Sequence, residues 1–365
     1  WHATSWIGPA LLILTTAMAE AQLELRFEQN ETVTWQEAVE MYQWLDGRYD
    51  KARFMEAGWT DAGKPLHLFV ISNGGEFTPE EIRGSGKGIL FINNGIHPGE
   101  PCGVDASLKL ADELLSGKDD YERFLENTVV VIVPLFNVGG GLNRSGTHRA
   151  NQNGPLEHGF RGNARNLDLN RDFIKLDSKN TRSLVRILRE WDPDVFVDTH
   201  TSNGADYPYV ITLINSHQQR HEPVQSEFLD NTMLPFLFNA MKATPYEMGP
   251  YVWSIQRSPE NGILAFMDYP RYTSGYASLF NTIAFTVETH MFKPFGDRVL
   301  STWHLLREML RFCSTHQTAI LEAKKRAWEE KMSREEFTLQ WSLDTSRYQM
   351  IPFRGYRAKT KTGPV

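Results

Sequence analysis

The chain of 365 residues carries only two cysteines, Cys102 and Cys313. Two thiols so far apart exclude a disulfide framework, and their spacing fits no zinc ribbon or dithiol redox motif. They read as small core residues, with a single bridge between them as the other option. Runs of five or six basic residues are also missing, and the formal net charge is -7, which argues against a nucleic-acid partner. Long apolar runs are equally scarce. Ile7 to Ala19 is the nearest to one, and it is too short to span a bilayer. Small residues follow at Ala17, Ala19 and Ala21, so residues 1–21 read as an export signal, although the basic leading region is missing and residue 1 is Trp. The other reading of this stretch is a buried N-terminal helix. The protein is therefore expected in a secreted or periplasmic location, with no membrane span once the signal is removed. Disorder is not expected either, because 41% hydrophobic content supports one large core with at most a small appendage.

What the sequence does contain is an alternation of β-rich runs and helical stretches, the pattern of an α/β domain with a largely parallel sheet. "TWQE", Thr34 to Glu37, has capping-box spacing and opens a helix to about Leu45. Strands are expected at Leu66–Ser72, Ile89–Asn94, Val129–Pro134, Val195–Thr199, Tyr209–Leu213 and Ile283–Glu288. Helices are expected at Gly103–Leu115, Thr181–Trp191, Phe228–Met241 and, as one long element, Leu300–Glu330. Trp303, Leu306, Leu310 and Cys313 recur at helical spacing in the last of these and read as core. Two connections, 137–168 and 217–271, exceed the usual length in compact domains and so are candidates for function. The domain boundaries follow: a signal over 1–21, a catalytic domain over 22–330, and an extension over 331–365. In that extension "FTLQWSLD" and "YQMIPFRGY" read as strands, either an edge hairpin or the start of a further β-domain.

Chemistry concentrates where apolar strands end. "FINNGIHPGE" closes a strand with His97 and Glu100, and "DVFVDTH" closes another with His200. In an open α/β sheet such strand ends are where ligands bind. Imidazole nitrogen and carboxylate oxygen both bind Zn²⁺ at roughly 2.0 to 2.2 Å, and two His with one Glu is a known catalytic zinc set. An isolated H-x-x-E is common by chance. A third strand, "IAFTVETH", adds weight because it buries Glu288 near its end, where a carboxylate costs several kcal/mol unless it is paired or used.

Four motifs together resemble the zinc carboxypeptidases of the M14 class. "HPGE" is similar to that family's first zinc motif, "DTH" to the strand end that gives the third ligand, "RGNARNLDLNRDF" (Arg161 to Phe173) to its R-x-N-x-x-G-V-D-L-N-R-N-F segment, and "FTVETH" to the strand bearing the catalytic glutamate. They occur in the family's order and span about 200 residues, Phe91 to Met291. The resemblance implies a mixed, mainly parallel eight-stranded sheet flanked by helices and one zinc per chain, held by His97, Glu100 and His200. It implies Glu288 as proton carrier, Arg161 as the charge opposite the oxyanion, and Asn170 with Arg171 as the grip on a peptide's free C-terminal carboxylate. An arginine in such a loop otherwise makes a surface salt bridge.

A substrate-facing tyrosine is also implied, from Tyr272 or Tyr276, with Tyr276 preferred. Two positions depart from the pattern: Asn166 stands for a glycine, which is tolerable because Asn accepts left-handed backbone angles, and Asp172 stands for Asn. Asp198, two residues before His200, is placed to orient that imidazole, and His290 shares the face of Glu288. The activity implied is removal of a C-terminal residue by promoted-water attack. The alternatives are a zinc deacylase or amidohydrolase acting on N-acyl amino acids or cell-wall peptides, and a non-catalytic binding protein of the same fold.

Overall fold

This computed structural model describes residues 23–356, apart from 205, 256–260, 343, 345 and 347. The export signal expected over 1–21 therefore lies outside the described residues. Thr34 opens helix α1 (Trp35–Arg48) with the capping box its spacing predicts: Glu37 N donates to Thr34 Oγ1 at 3.2 Å, and Thr34 N donates to Glu37 Oε2 at 2.7 Å. The chain continues through β1 (Ala52–Trp59), β2 (Pro65–Ile71), α2 (Pro79–Ser85), β3 (Gly88–Asn93), α3 (Cys102–Ser116) and β4 (Thr128–Val133). Short pieces follow: α4 (Val138–Leu142), β5 (Arg144–Ser145) and β6 (His158–Gly159). Then come α5 (Lys179–Trp191), β7 (Val195–Ser202), β8 (Ile211–Asn215), α6 (Pro223–Phe228), α7 (Leu234–Lys242), β9 (Met248–Pro250), β10 (Trp253–Ser254), β11 (Ile263–Leu264), α8 (Thr273–Ala277), β12 (Ile283–His290), α9 (Phe295–Thr315) and α10 (Gln317–Met332).

Eight strands form one mixed sheet in the order β1-β2-β4-β3-β7-β12-β8-β9, flanked by helices. Its centre, β4-β3-β7-β12, is parallel, while β1, β2 and β8 join antiparallel to their inner neighbours. Because successive side chains of a strand point to opposite faces, each central strand feeds two cores. Leu90, Ile92, Val195, Val197, Phe285 and Val287 pack with α1, α3 and α9 on one face. Phe91, Phe196 and Ala284 pack with Leu184, Ile187 and Leu188 of α5 on the other. That second face changes character along its length. On β7 it runs Phe196, Asp198, His200, and on β12 it runs Ala284, Thr286, Glu288, so the C-terminal strand ends present polar groups where apolar ones would fill the core.

Several elements differ from the sequence expectation for identifiable reasons. The helix expected over Phe228–Met241 begins earlier, at Pro223, and widens to a π-turn over Leu229–Met233. Pro235 lies just beyond that turn and has no amide to donate. The single helix expected over Leu300–Glu330 is two, broken at His316. There Thr315 Oγ1 donates to the carbonyls of Arg311 (2.8 Å) and Phe312 (3.3 Å), a side-chain competition that disturbs the helical ladder. β1 carries an irregularity between Glu56 and Gly58 and has one fully covered residue, which blurs its alternation. The strands expected at 337–344 and 348–356 are not formed among the described residues. Leu339, Tyr348 and Met350 there are about nine-tenths exposed, and no sheet edge is paired with them. Cys102 and Cys313 are both free and buried, as core residues.

A buried acid fixes the segment before α1. Asp105 on α3 is fully buried, and Thr32 Oγ1 donates to its Oδ2 at 2.5 Å. Burial raises its carboxyl to about 7, against opposing hydrogen bonds from Thr32 and the Val33 amide. In the unfolded chain the group ionises near its ordinary 3.8, so the folded state holds the extra proton between those values and loses stability as pH rises through them. Asp105→Asn should flatten that loss. Thermal melts should show the wild type falling, relative to the variant, by a few kcal/mol at most between pH 4 and 7; parallel pH profiles would show that Asp105 carries no such cost.

Candidate active site

The three central strand ends converge on one cluster. His97 and Glu100 lie in the turn after β3, closed by Glu100 N donating to the His97 carbonyl at 2.8 Å. His200 lies in the last part of β7. Gly103 allows the first turn of α3 to sit directly on β7, since a Cβ there would stand 2.0 Å from Thr199 Oγ1. Ligand atoms of His97, Glu100 and His200 all lie within 4.8 Å of one another, and all three residues are buried. His97 Nδ1 is 3.4 Å from Glu100 Oε1, and His200 Nδ1 is 3.0 Å from Glu100 Oε2.

The far nitrogen of each ring is held by a carboxylate. His97 Nε2 lies 2.9 Å from Asp168 Oδ1, and His200 Nε2 lies 3.0 Å from Asp198 Oδ2. Asp198 is itself fixed by Asn93 Nδ2, which donates to its Oδ1 at 2.9 Å. This arrangement orients both Nδ1 atoms toward Glu100, the support that metal-ligating histidines ordinarily have. Two such nitrogens and one carboxylate oxygen fit a single zinc ion with a further position for water or substrate.

Charges around the cluster shift its titration in opposite directions. Burial alone would push the Glu100 carboxyl up, but Arg149, His97 and the His200 hydrogen bond outweigh it and hold the group well below the usual range. Burial likewise opposes the charged form of His200, yet Asp198 and then Glu100 raise it well above an ordinary histidine. Asp168 is lowered despite burial, by His97 and Arg161.

Glu288 stands on β12 directly opposite His200 in the parallel register, so both side chains emerge on the same face. The residue as a whole keeps some exposure, but its Oε2 is covered and has no hydrogen-bond partner. Burial, helped by Glu100 and opposed by His200, raises its carboxyl to about 8. A neighbouring divalent charge would favour the ionised form.

The remaining expected residues sit around this centre. Arg161 Nη1 is 3.2 Å from His97 Nδ1 and 3.5 Å from Glu100 Oε1, while its Nε and Nη2 donate to Asp168 Oδ2. Asn170 Nδ2 lies 3.4 Å from His200 Nε2, and Asn170 Oδ1 accepts from Thr273 N and Oγ1 at 3.0 Å each. Arg171 is exposed and stacks on Tyr272, 4.5 Å from the ring centroid. Tyr276 instead packs against Phe173 and Phe280. Asn166 has φ 58°, the left-handed angle for which its side chain is suited. Asp172 accepts from Ser178 N and Oγ, tying the loop to the start of α5.

Comparison with known proteins agrees with this geometry. The match is to the zinc carboxypeptidase family, over residues 40–212. That segment takes in His97, Glu100, Arg161, Asn170, Arg171 and His200 and ends before Glu288. Carboxypeptidase 2 of Trichophyton rubrum is 24% identical over 148 residues, 40% of this chain and 24% of that protein. Carboxypeptidase 2 of Trichophyton tonsurans is 25% identical over 111 residues, 30% of this chain. The chain thus spans about a fifth of the length of the curated relatives it matches. Among solved structures, a metallo-carboxypeptidase from Burkholderia cenocepacia superposes with a TM-score of 0.57 at 18% identity, covering 78% of this chain and 70% of its own. The fold of the zinc carboxypeptidases is shared even where sequence has diverged.

Three residues of this carboxypeptidase-like site escape a reading of the sequence. Asp168 lies within the quoted "LDLNR" segment, but only the fold shows that it reaches His97. Arg149, whose side chain is 15% exposed, makes an ion pair with Glu100 Oε1 and donates to the Thr201 carbonyl at 2.8 Å; the unusual richness of loop 137–168 in Arg and His was its only signal. Tyr251 is mostly buried, and its hydroxyl is pushed up by burial and then by the charge of Glu288. If Asp168 and Asp198 orient the ring nitrogens, Asp168→Asn and Asp198→Asn should each weaken zinc binding about 10- to 100-fold in competition with a chromophoric chelator. Wild-type affinity in both would remove them from the metal centre.

Proposed function

We propose that the chain is a zinc-dependent metallocarboxypeptidase, with one zinc per chain, that hydrolyses the C-terminal bond of peptides carrying a free carboxylate. The observation that carries this reading is the Glu288–His200 register pair, which sets a carboxylate with a covered, unpartnered Oε2 beside the three-residue cluster. Zinc, when bound, supplies Lewis acidity that polarises a carbonyl and acidifies water. Glu288 then takes the proton of the attacking water and delivers it to the leaving amine. Its setting favours a proton shuttle, because no hydrogen bond holds its covered Oε2.

Arg161 supplies fixed positive charge where the oxyanion develops. Its side chain, 48% exposed, is free to turn from Asp168 toward substrate. Asn170 and Arg171 receive the terminal carboxylate, which a guanidinium binds with two parallel hydrogen bonds. Of the two tyrosines, Tyr272 is the better placed for substrate because it lies on Arg171. The apolar stretch 7–19 supports export, and no helix among the described residues is long and apolar enough to cross a membrane.

Two measurements test the reading. Glu288→Gln should keep stoichiometric zinc while kcat falls about 100-fold or more; a near-wild-type rate would remove Glu288 from the mechanism. Peptides whose terminal carboxylate is blocked as an amide should not be cleaved. Unimpaired cleavage would favour an endopeptidase or another amidohydrolase instead.

A further inference from the structure

Arg298, in the first turns of α9, is a fully buried guanidinium without an ion pair: among the described residues no carboxylate lies within ion-pair distance of it. Its Nε donates to the Lys293 carbonyl at 3.1 Å, its Nη2 donates to the carbonyls of Asn153 (2.8 Å) and Gly154, and its Nη1 has no partner. Burying a cation on carbonyls alone costs several kcal/mol, so the arrangement needs a return elsewhere. What it holds is the loop 149–155.

Apart from Asn153 Nδ2, which donates to the Phe292 carbonyl at 3.3 Å, the other attachments of that loop are at the strand ends that carry the site. Gln152 Nε2 donates to the Gly99 carbonyl at 2.9 Å, inside the turn between His97 and Glu100. Asn153 N donates to the Met291 carbonyl at 2.8 Å, just past the end of β12. Arg149 donates to the Thr201 carbonyl at the end of β7 and forms the ion pair with Glu100 Oε1. Glu100 Oε2 is occupied by Thr201 N at 2.9 Å and His200 Nδ1 at 3.0 Å, which leaves Arg149 as the closest partner of Oε1. The loop therefore joins all three strand ends, and Arg298 anchors its far side.

We propose that Arg298 is a positioning residue: by fastening the carbonyls of residues 153 and 154 it holds Arg149 against Glu100 and so fixes the orientation of that carboxylate in the metal centre. This rests on the zinc reading of the cluster. The test is a double-mutant cycle on the full chain with zinc affinity as readout. Arg298→Met should weaken zinc binding at least 10-fold in the wild-type background and less than 3-fold in an Arg149→Met background, because the same contact is already gone. Arg298→Lys, which keeps donors for the carbonyls, should recover most of the loss. Equal losses in both backgrounds, or wild-type affinity in Arg298→Met, would overturn the proposal, and if Arg298→Met does not fold the same cycle is decided with Arg298→Lys and Arg298→Gln. Amide exchange of the metal-free protein separates this claim from the zinc reading. Residues 149–155 should exchange at least 10-fold faster in the Arg298 variant whether or not zinc binds, and unchanged protection there would overturn the anchoring even if the wild type proves to be a zinc enzyme.

Discussion

The site depends on the parallel register of β3, β7 and β12. Asn93 pairs with Asp198, and Glu288 pairs with His200. Since side chains alternate between faces, Asp198, His200, Thr286 and Glu288 emerge together on the α5 face. A one-residue slip would send His200 and Glu288 to the opposite face, and the apolar residues between them into the cleft. The register is protected by those apolar residues: Val197, Phe285 and Val287 are fully buried in the other core. Packing on one face of the sheet thereby fixes the chemistry on the other.

Within that frame Glu100 is the junction. Both of its oxygens are engaged, by His200 and the Thr201 amide on one side and by Arg149 on the other. A carboxylate so surrounded stays ionised in a buried place, where an unpaired one would take up a proton. Glu288, opposite His200 in the sheet, has an Oε2 without such partners and is displaced in the opposite direction, to about 8. Two glutamates in one cleft are thus separated by their surroundings into a fixed anion suited to holding a cation and a group suited to carrying protons. The difference comes from the charges of Arg149 and His97 and the hydrogen bonds around Glu100, since burial raises both.

The sequence made this grouping legible because each of His97, Glu100, His200 and Glu288 terminates an apolar run, a contrast visible without coordinates. Asp198 was legible by its even spacing from His200. Arg149 and Asp168 were not, because their partners lie 49 and 71 residues away and no local pattern encodes that separation. The choice between Tyr272 and Tyr276 was not legible for a related reason: they stand four residues apart, one capping α8 and the other within it, and only the tertiary surroundings put one on Arg171 and the other on Phe173. In the fold, the central strands were legible from unbroken apolar runs. β1 and β9 were hidden by a bulge and by shortness respectively, and α9 and α10 read as one because the junction of Ser314, Thr315 and His316 holds neither Gly nor Pro, while the hydrogen bonds of the Thr315 hydroxyl that disturb the ladder there show only in the structure.

Loop 137–168 explains why a site at the ends of three rigid strands still needs an irregular segment. Strand ends deliver side chains along one face only, so they cannot close a buried cluster from above. The loop brings charge from the outside, as Arg149 and Arg161, and a carboxylate, as Asp168, to the groups the sheet presents. Irregular backbone at such a position has few ladder hydrogen bonds of its own. Its order is supplied instead by side chains, from within the loop when Asn137 Nδ2 donates to the Arg161 carbonyl at 3.0 Å, and from a regular element when Arg298 of α9 donates to the Asn153 carbonyl at 2.8 Å. A buried arginine without an ion-pair partner, Arg298, adds its hold on the carbonyls of residues 153 and 154 to these attachments.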